Sequence, residues 1–323
     1  MNFLSEAQAL EGEMRAFFED LHRHPEPSHF ENRTNRRVRE QLRAHQIDML
    51  CPKDNITIAV IRGAKPGKTV GLRFDTDALQ MQELCDVPYK SETDGLMHGC
   101  GHDAHTTCGV FVARLLKAHA DALCGTYKII FQPAEEGVRG AQSIAEGGIL
   151  DDVDYLLTGH LGMGWNTGSL VALSKGFLST TKVDAEFKGV SAHAGMSPQD
   201  GKNAILAACS ATLAMHTACQ DSRGASRINV GTIQGGSGRN VVPADAMIRF
   251  ETRGETADIQ ELVLKKAMNA VNGAAEMFDC SVDTKIMGSA SSADSSAELE
   301  PFIRAGAARI PEITNYVKEA AFS

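Results

Sequence analysis

Hydrophobic residues recur every three or four positions at the start of the chain. The apolar residues at positions 7, 10, 14, 17 and 21 predict an amphipathic helix that ends before Pro25. A basic helix is predicted over residues 32–45, and β-branched runs at residues 56–61 and 70–74 predict two strands. The segment between these strands, residues 63–69, resembles a phosphate-binding loop, but it is one residue short and leads into a strand. We interpret it as a hairpin turn.

Helical and strand patterns alternate in the next part of the chain. Helices are predicted over residues 103–120 and 141–146, and strands over residues 127–131 and 154–158. This alternation is typical of an α/β domain, with a mostly parallel sheet and helices on both faces.

The order of elements changes after about residue 178. A strand, a helix, two strands, a helix and a strand follow, which is the ferredoxin-like order of an α+β domain. The strands are predicted over residues 182–188, 227–233, 246–252 and 281–287, and the helices over residues 202–218 and 257–277. We therefore expect an inserted domain at residues 178–289, and a first domain made of residues 1–177 and 290–323, with a short helix at residues 301–308.

Composition excludes several classes of protein. Of the 323 residues, 43% are hydrophobic and 23% are charged, as in ordinary globular proteins and unlike disordered or fibrous ones. The net charge of −9 argues against binding to nucleic acid. We expect no membrane span and no secretory signal, because no apolar run is long enough. The eight cysteines include no C-x-x-C pair, so we expect a reduced, cytoplasmic protein.

Acidic residues and a histidine follow three predicted strands at the point where each strand ends. Asp75 and Asp77 follow the first of them, Glu135 and Glu136 follow the second, and His160 follows the third. Sites in open α/β sheets form outside the carboxyl ends of the strands. The sequence therefore predicts a site at this edge.

A fourth group of polar residues is the motif His98-Gly-Cys-Gly-His-Asp-Ala-His105. Cys100 and His102 are two residues apart, so an extended backbone directs both to the same side. A helix N-terminus lowers the pKa of a nearby thiol, which favours a thiolate at Cys100. Sulfur, imidazole and carboxylate together suit a zinc-like or manganese-like ion.

A cysteine nucleophile is the competing interpretation of this motif. Cys100 beside His102 or His105 would be an activated thiol. No oxyanion-binding device is evident, however, and the paired glutamates would be left without a role. Isolated histidines elsewhere are interpreted as surface residues or as residues capped by a partner: His22, His24, His29, His45, His119 and His216.

Four motifs in this order resemble the M20 family of metallopeptidases and amidohydrolases, in the branch that cleaves N-acyl amino acids. They are His98-Gly-Cys-Gly-His-Asp-Ala-His105, Phe131-Gln-Pro-Ala-Glu-Glu-Gly137, Ser191-Ala-His-Ala-Gly195 and Asn240-Val-Val-Pro243. Residues 128–256 are most similar to the group that acts on p-aminobenzoyl-glutamate. The resemblance implies hydrolysis of the amide bond of that compound, or of a similar N-acyl amino acid, by a metal-activated water.

The resemblance also implies which residues form the site. Two divalent metal ions, manganese or zinc, would be bound by Cys100, His102, Glu136 and His160. Glu135 would be the general base. Asp75 and Asp77 would support the ligands, with Asp77 as a weaker ligand candidate.

The inserted domain resembles the family's lid and dimerisation domain. His193 would stabilise the developing oxyanion, while Asn240 and Arg253 would hold the carboxylate of the substrate. A surface ion pair with Glu251 or Glu255 is the alternative for Arg253. The resemblance implies a homodimer, or a heterodimer with a related B-type subunit, through this domain.

One feature departs from the family pattern. No histidine follows His216, whereas the resemblance implies a further histidine ligand near the C-terminus, after additional strands. We therefore expect that the C-terminal part of the catalytic domain is missing. The alternative functions are a non-catalytic or inactive truncated subunit, and an amidohydrolase or peptidase for other N-acyl amino acids or dipeptides.

Overall fold

The computed structural model describes residues 2–137, 140–162, 164–217 and 220–321. The chain divides into two compact units, Met1–Trp165 and Asn166–Ser323. Some predicted ranges include residues 1, 138–139, 163, 218–219 or 322–323, and at those positions they lie outside the described residues.

The first unit contains five helices and five strands among its described residues, apart from one short 3-10 turn. In chain order they are α1 Phe3–Ala9, α2 Glu11–Arg23, α3 Asn32–Ala44, β1 Asp48–Lys53, β2 Ile56–Arg62, β3 Lys65–Asp75, α4 His102–Ala118, β4 Cys124–Gln132, α5 Gly140–Glu146 and β5 Tyr155–Thr158. The first predicted helix is divided in two at Leu10.

The sheet of the first unit has the strand order β1-β2-β4-β3-β5. The α/β class is confirmed, and the sheet is mixed: β3 is parallel to β4 and β5, whereas β2 is antiparallel to β1 and β4. The hairpin predicted between β2 and β3 is wrong, because β4 lies between them. The link crosses the start of β4, where Gly63 donates a hydrogen bond to the Gly125 carbonyl at 2.8 Å. A Cβ at Gly63 would lie 2.5 Å from the Leu123 carbonyl oxygen, so the crossing requires glycine.

Helices cover both faces of this sheet. Alternate residues of β2 and β4 point to opposite sides, so each strand contributes to two cores. On one side Ile61 and Phe131 pack with buried residues of α2, α3 and α4. On the other side Ile58 and Ile130 pack with Ile144 of α5. The carboxyl ends of β3, β4 and β5 are thereby fixed along one edge.

The second unit contains a ferredoxin-like α+β domain, as predicted. Its four-stranded sheet has the order β12-β7-β11-β9 and is antiparallel throughout. Helices α6 and α7 pack on one face, with Phe187, Ile248 and Val271 in the shared core. The elements are β7 Ser179–Lys188, β8 Ala192–His193, α6 Ala204–Thr217, β9 Ser226–Gly235, β10 Val241–Val242, β11 Asp245–Gly254, α7 Ala257–Met277 and β12 Ser281–Ala290.

Three further elements belong to the second unit. Strand β6, Ser169–Lys175, pairs in parallel with β13, Asn315–Ala321, and α8, Glu300–Ala307, packs beside both strands. Along the sequence, the division between the two compact units falls after Trp165, which differs from the predicted domain boundaries. Those boundaries, 177/178 and 289/290, stay a prediction.

Within the described residues, we find no helix with both the length and the apolar character that crossing a membrane requires.

Candidate metal centre

Asp75 and Asp77 lie where β3 ends, and both are buried. One carboxylate oxygen of Asp75 accepts a hydrogen bond from Arg73 at 2.7 Å, and the other contacts His105 Nδ1 at 2.5 Å. Burial opposes ionisation of Asp75, but the His105 hydrogen bond and the Arg73 charge hold its pKa well below the usual range. Asp75 is therefore a carboxylate at every physiological pH.

His102 is the first residue of α4 and is fully buried. Its Nδ1 lies 2.8 Å from the backbone carbonyl oxygen of Asp77, which can only accept, so Nδ1 carries the proton. Its Nε2 is buried and has no hydrogen-bond partner among the described residues. Asp75 Oδ2 lies 3.5 Å from this atom. In the neutral form of His102, Nε2 has a lone pair and no donor beside it, so a cation that displaces the second proton of the ring could bind there.

Cys100 is brought beside His102 by the turn that begins α4. Gly101 caps the helix with a positive φ of 80°, and a Cβ there would lie 2.6 Å from a methyl carbon of Leu161. Glycine suits this position because it readily adopts a positive φ and has no Cβ to clash with Leu161. Cys100 Sγ lies 3.5 Å from His160 Nε2, while His160 Nδ1 donates to its neighbour's carbonyl at 2.8 Å.

Glu135 and Glu136 occupy the turn after β4. Their backbone N–H groups donate to the two carboxylate oxygens of Asp77, at 3.0 and 3.1 Å. Ser28 donates a third hydrogen bond to Asp77, at 2.6 Å. Burial opposes ionisation of Asp77, but hydrogen bonds from His102 and Ser28 lower its pKa. Both carboxylate oxygens of Asp77 therefore accept hydrogen bonds from the protein.

Two groups of side chains could hold a metal ion, and the ligand atoms within each lie within 4.8 Å of one another. One group is Cys100, His102 and Glu136, and the other is Asp75, His102, His105 and His160. The structure therefore brings together all four predicted ligands, Cys100, His102, Glu136 and His160. Sequence reasoning missed His105, although it ends the motif that drew attention to the site. Both its ring nitrogens have protein partners, Asp75 and the N–H of Leu161.

The surrounding carboxylates make the site strongly negative. Burial disfavours a charge on His102, but the Asp77 hydrogen bond and the Asp75 charge raise its pKa to about 9. Burial and the neighbouring Glu135 raise the pKa of Glu136. Each shift has the direction expected of a site that attracts positive charge.

The predicted thiolate at Cys100 is wrong for the site without a cation. Burial, followed by the charges of Glu136 and Glu135, raises the pKa of Cys100 to about 12. These effects outweigh the helix N-terminus. The thiol stays protonated at neutral pH unless a cation binds, which argues against the cysteine-nucleophile interpretation.

Residues 71–321 match the sequence profile of peptidase family M20/M25/M40. The chain belongs to the M20 family. It is 45% identical over 271 residues to indole-3-acetyl-aspartic acid hydrolase of Enterobacter agglomerans, covering 82% of this chain and 62% of that protein. It is 43% identical over 268 residues to the A-type subunit of p-aminobenzoyl-glutamate hydrolase of Escherichia coli, covering 81% and 62%. The M20 chain thus spans less than two thirds of the length of these relatives.

Solved structures of the M20 family have the same fold. The crystal structure of aminobenzoyl-glutamate utilization protein from Klebsiella pneumoniae is 33% identical, with a TM-score of 0.83 over 100% of this chain and 87% of that one. The YXEP protein of Bacillus subtilis, described as a dinuclear metal-binding peptidase, is 26% identical, with a TM-score of 0.70 over 98% and 84%.

The three remaining predicted site residues of the M20 chain lie in its second unit. His193 is in β8, which pairs with β10, and the N–H of Ala194 donates to the Asn240 carbonyl at 3.0 Å. His193 and Asn240 are therefore neighbours. Arg253 lies near the far end of β11 and forms an ion pair with Glu251 at 2.9 Å, which was the alternative for this residue.

His22 is buried, so the surface interpretation of this residue is wrong and the capped one fits. Its Nδ1 lies 2.6 Å from a carboxylate oxygen of Asp103, which is the second residue of α4, and its Nε2 lies 3.2 Å from Glu83. The hydrogen bond to Asp103 raises the pKa of His22, although burial opposes this, and Glu83 adds to the rise. His22 thus connects α2 to the helix that carries His102.

A pH dependence follows for His22→Gln. Because folding raises the pKa of His22, the charged imidazolium stabilises the folded chain at pH values below the ordinary pKa of about 6.5. This stabilisation is lost as the pH rises through the pKa that His22 has in the folded chain. We expect the substitution to lower the free energy of unfolding by about 1.5–3 kcal/mol at pH 6 and by less at pH 9. Urea unfolding at both pH values measures this, with the exposed His216→Gln as control. An equal loss at both pH values would contradict the ion pair.

Proposed function

We propose that this chain carries the active site of a metal-dependent amidohydrolase. Its substrate is p-aminobenzoyl-glutamate or a similar N-acyl amino acid, and the products are free glutamate and the aromatic acid. The observation that carries the proposal is the buried Nε2 of His102, which has no hydrogen-bond partner among the described residues and faces carboxylate and thiol donors.

The donor set fits divalent metal ions. Cys100, His102, Glu136 and His160 would hold two of them, manganese or zinc. When bound, such ions lower the pKa of a water molecule and polarise the scissile carbonyl. The backbone N–H groups of Glu135 and Glu136 are both held by Asp77, so the positions of the two residues are coupled.

Glu135 would act as the general base. It is next to a ligand on the same turn, and neighbouring side chains diverge, so one carboxylate can bind metal while the other faces the attacking water. Glu135 would accept the proton of that water and pass it to the leaving amine.

His193 is suited to donate a hydrogen bond to the developing oxyanion. Its Nδ1 accepts hydrogen bonds from the backbone N–H groups of Gly195 and Met196, at 3.2 and 3.1 Å. A neutral His193 must then carry its proton on Nε2, which makes that atom a donor. Asn240, its neighbour, and Arg253 would hold the carboxylate of the substrate. To bind the carboxylate of the substrate, the guanidinium of Arg253 would have to break its ion pair with Glu251 or contact both carboxylates.

The α+β domain would join two protomers, either identical chains or this chain and a related B-type subunit. The Escherichia coli relative is named as one subunit of its hydrolase, which supports a partner of some kind.

The substrate class follows from two relatives. Indole-3-acetyl-aspartic acid and p-aminobenzoyl-glutamate both join an aromatic acyl group to an acidic amino acid. We expect the manganese-loaded chain to release p-aminobenzoate from p-aminobenzoyl-glutamate, and to cleave hippurate, with its glycine, at least tenfold more slowly. Chromatography of the products measures both rates. Metal uptake without product release would favour the non-catalytic subunit, and equal rates would favour broader specificity.

Glu135→Gln tests the role of the base. The amide cannot accept the proton, so we expect kcat to fall by about 10²–10⁴-fold. Bound metal, measured by elemental analysis, should remain at the wild-type level because Glu135 is not a predicted ligand. Unchanged turnover would exclude Glu135 as the base.

A further inference from the structure

The turn that presents Glu135 and Glu136 is held in an unfavourable backbone conformation. Ala134, which precedes them, is fully buried and has a positive φ of 52°. This conformation is unfavourable for a residue with a Cβ, because the Cβ comes too close to the following carbonyl oxygen. Such a conformation persists only where the surrounding structure imposes it.

Three consecutive backbone N–H groups of this turn donate to buried carboxylates. Those of Glu135 and Glu136 donate to Asp77, and that of Ala134 donates to Glu31 Oε1 at 2.7 Å. The second carboxylate is 103 residues away in the sequence. Together they fix the direction in which the chain leaves β4.

Glu31 has no exposed surface and lies in the loop between α2 and α3. The carboxylate oxygen that binds Ala134 also accepts from the N–H of His29 at 3.0 Å. The other oxygen accepts from the side chain of Asn55 at 3.1 Å. A buried carboxylate is expensive unless donors surround it, and here three donors do so.

We propose that Glu31 is a positioning residue of the metal centre: it holds the left-handed turn at Ala134 and thereby aims Glu136 at the metal and Glu135 at the water. The inference rests on the function proposed above. Glu31 is not one of the predicted ligands and would act through this turn.

The same loop contributes to the other carboxylate of the turn. Ser28 donates to Asp77, and the N–H of Ala78 donates to the Glu26 carbonyl at 2.9 Å. The loop thus contacts the end of β3 as well as the turn after β4. When Glu31 is removed, the N–H of Ala134 loses its acceptor, and the turn is free to relax towards negative φ.

Titration with Co²⁺ alone tests this without relying on turnover. Bound Co²⁺ has visible absorption bands that report its ligands, so both affinity and geometry are read at once. We expect Glu31→Ala to weaken Co²⁺ binding by about 10–100-fold and to alter the bands, because supporting hydrogen bonds of metal ligands have effects of that size. Glu31→Gln keeps an oxygen for Ala134 and should bind within about threefold of the wild type.

Glu26→Ala is the matched control. Glu26 lies in the same loop, but its carboxylate accepts from the N–H groups of Arg33 and Thr34 at the start of α3, at 2.9 and 2.7 Å. It should lower the unfolding temperature without changing Co²⁺ affinity. If Glu31→Ala does not fold, Glu31→Asp withdraws the carboxylate by one methylene and should weaken binding in the same direction.

The outcomes separate this inference from the proposed function. If Glu31→Ala binds Co²⁺ with the affinity and the bands of the wild type, the role of Glu31 is overturned and the proposed function is not. The same holds for Glu31→Asp where that variant replaces Glu31→Ala. An equal loss in Glu26→Ala, or a loss in Glu31→Gln as large as in Glu31→Ala, would also overturn it. A wild-type chain that binds no Co²⁺ would overturn both the proposed function and the role of Glu31.

Discussion

The candidate centre depends on Asp77 more than on any other residue. Its carboxylate accepts the N–H groups of Glu135 and Glu136, and its carbonyl accepts the Nδ1 proton of His102. One residue at the end of β3 thus fixes both the turn after β4 and the first side chain of α4. Hydrogen bonds to charged groups contribute about 1.5–3 kcal/mol each, so this arrangement is rigid. The hydrogen bond from Nδ1 to Asp77 also leaves Nε2 as the nitrogen with which His102 could bind a metal ion.

The second constraint is charge. Asp75 and Asp77 are buried, the partly buried Glu135 and Glu136 act on the same side chains, and Arg73 partly balances Asp75. Burial and this negative field together raise the pKa values of Cys100 and Glu136. Burial opposes the rise at His102, where the carboxylates nevertheless outweigh it. A divalent cation would reverse the effect on Cys100 and convert the thiol to a ligand. The protein therefore concentrates negative charge at the place where the resemblance to the M20 family predicts metal ions.

The sequence predicted the parts of the molecule that local pattern controls. Periodicity located α3, α7 and the ferredoxin-like domain, and strand ends located the acidic residues. It missed β1 and β13, which carry no clear alternation of apolar residues, and it misjudged the link from β2 to β3, because strand order depends on pairing between distant segments. Glu31 and His22 were missed for the same reason: their partners, Ala134 and Asp103, lie 103 and 81 residues away.

The response of Cys100 to metal tests most directly whether this edge of the sheet is a metal centre. Addition of Co²⁺ or Zn²⁺ to the purified chain at pH 7 should release the thiol proton, and Co²⁺ should produce a sulfur-to-cobalt charge-transfer band. We expect the band in the wild type and no such band in Cys100→Ala. A Cys100 that stays protonated and unbound in excess metal would show that its thiol is not a metal ligand.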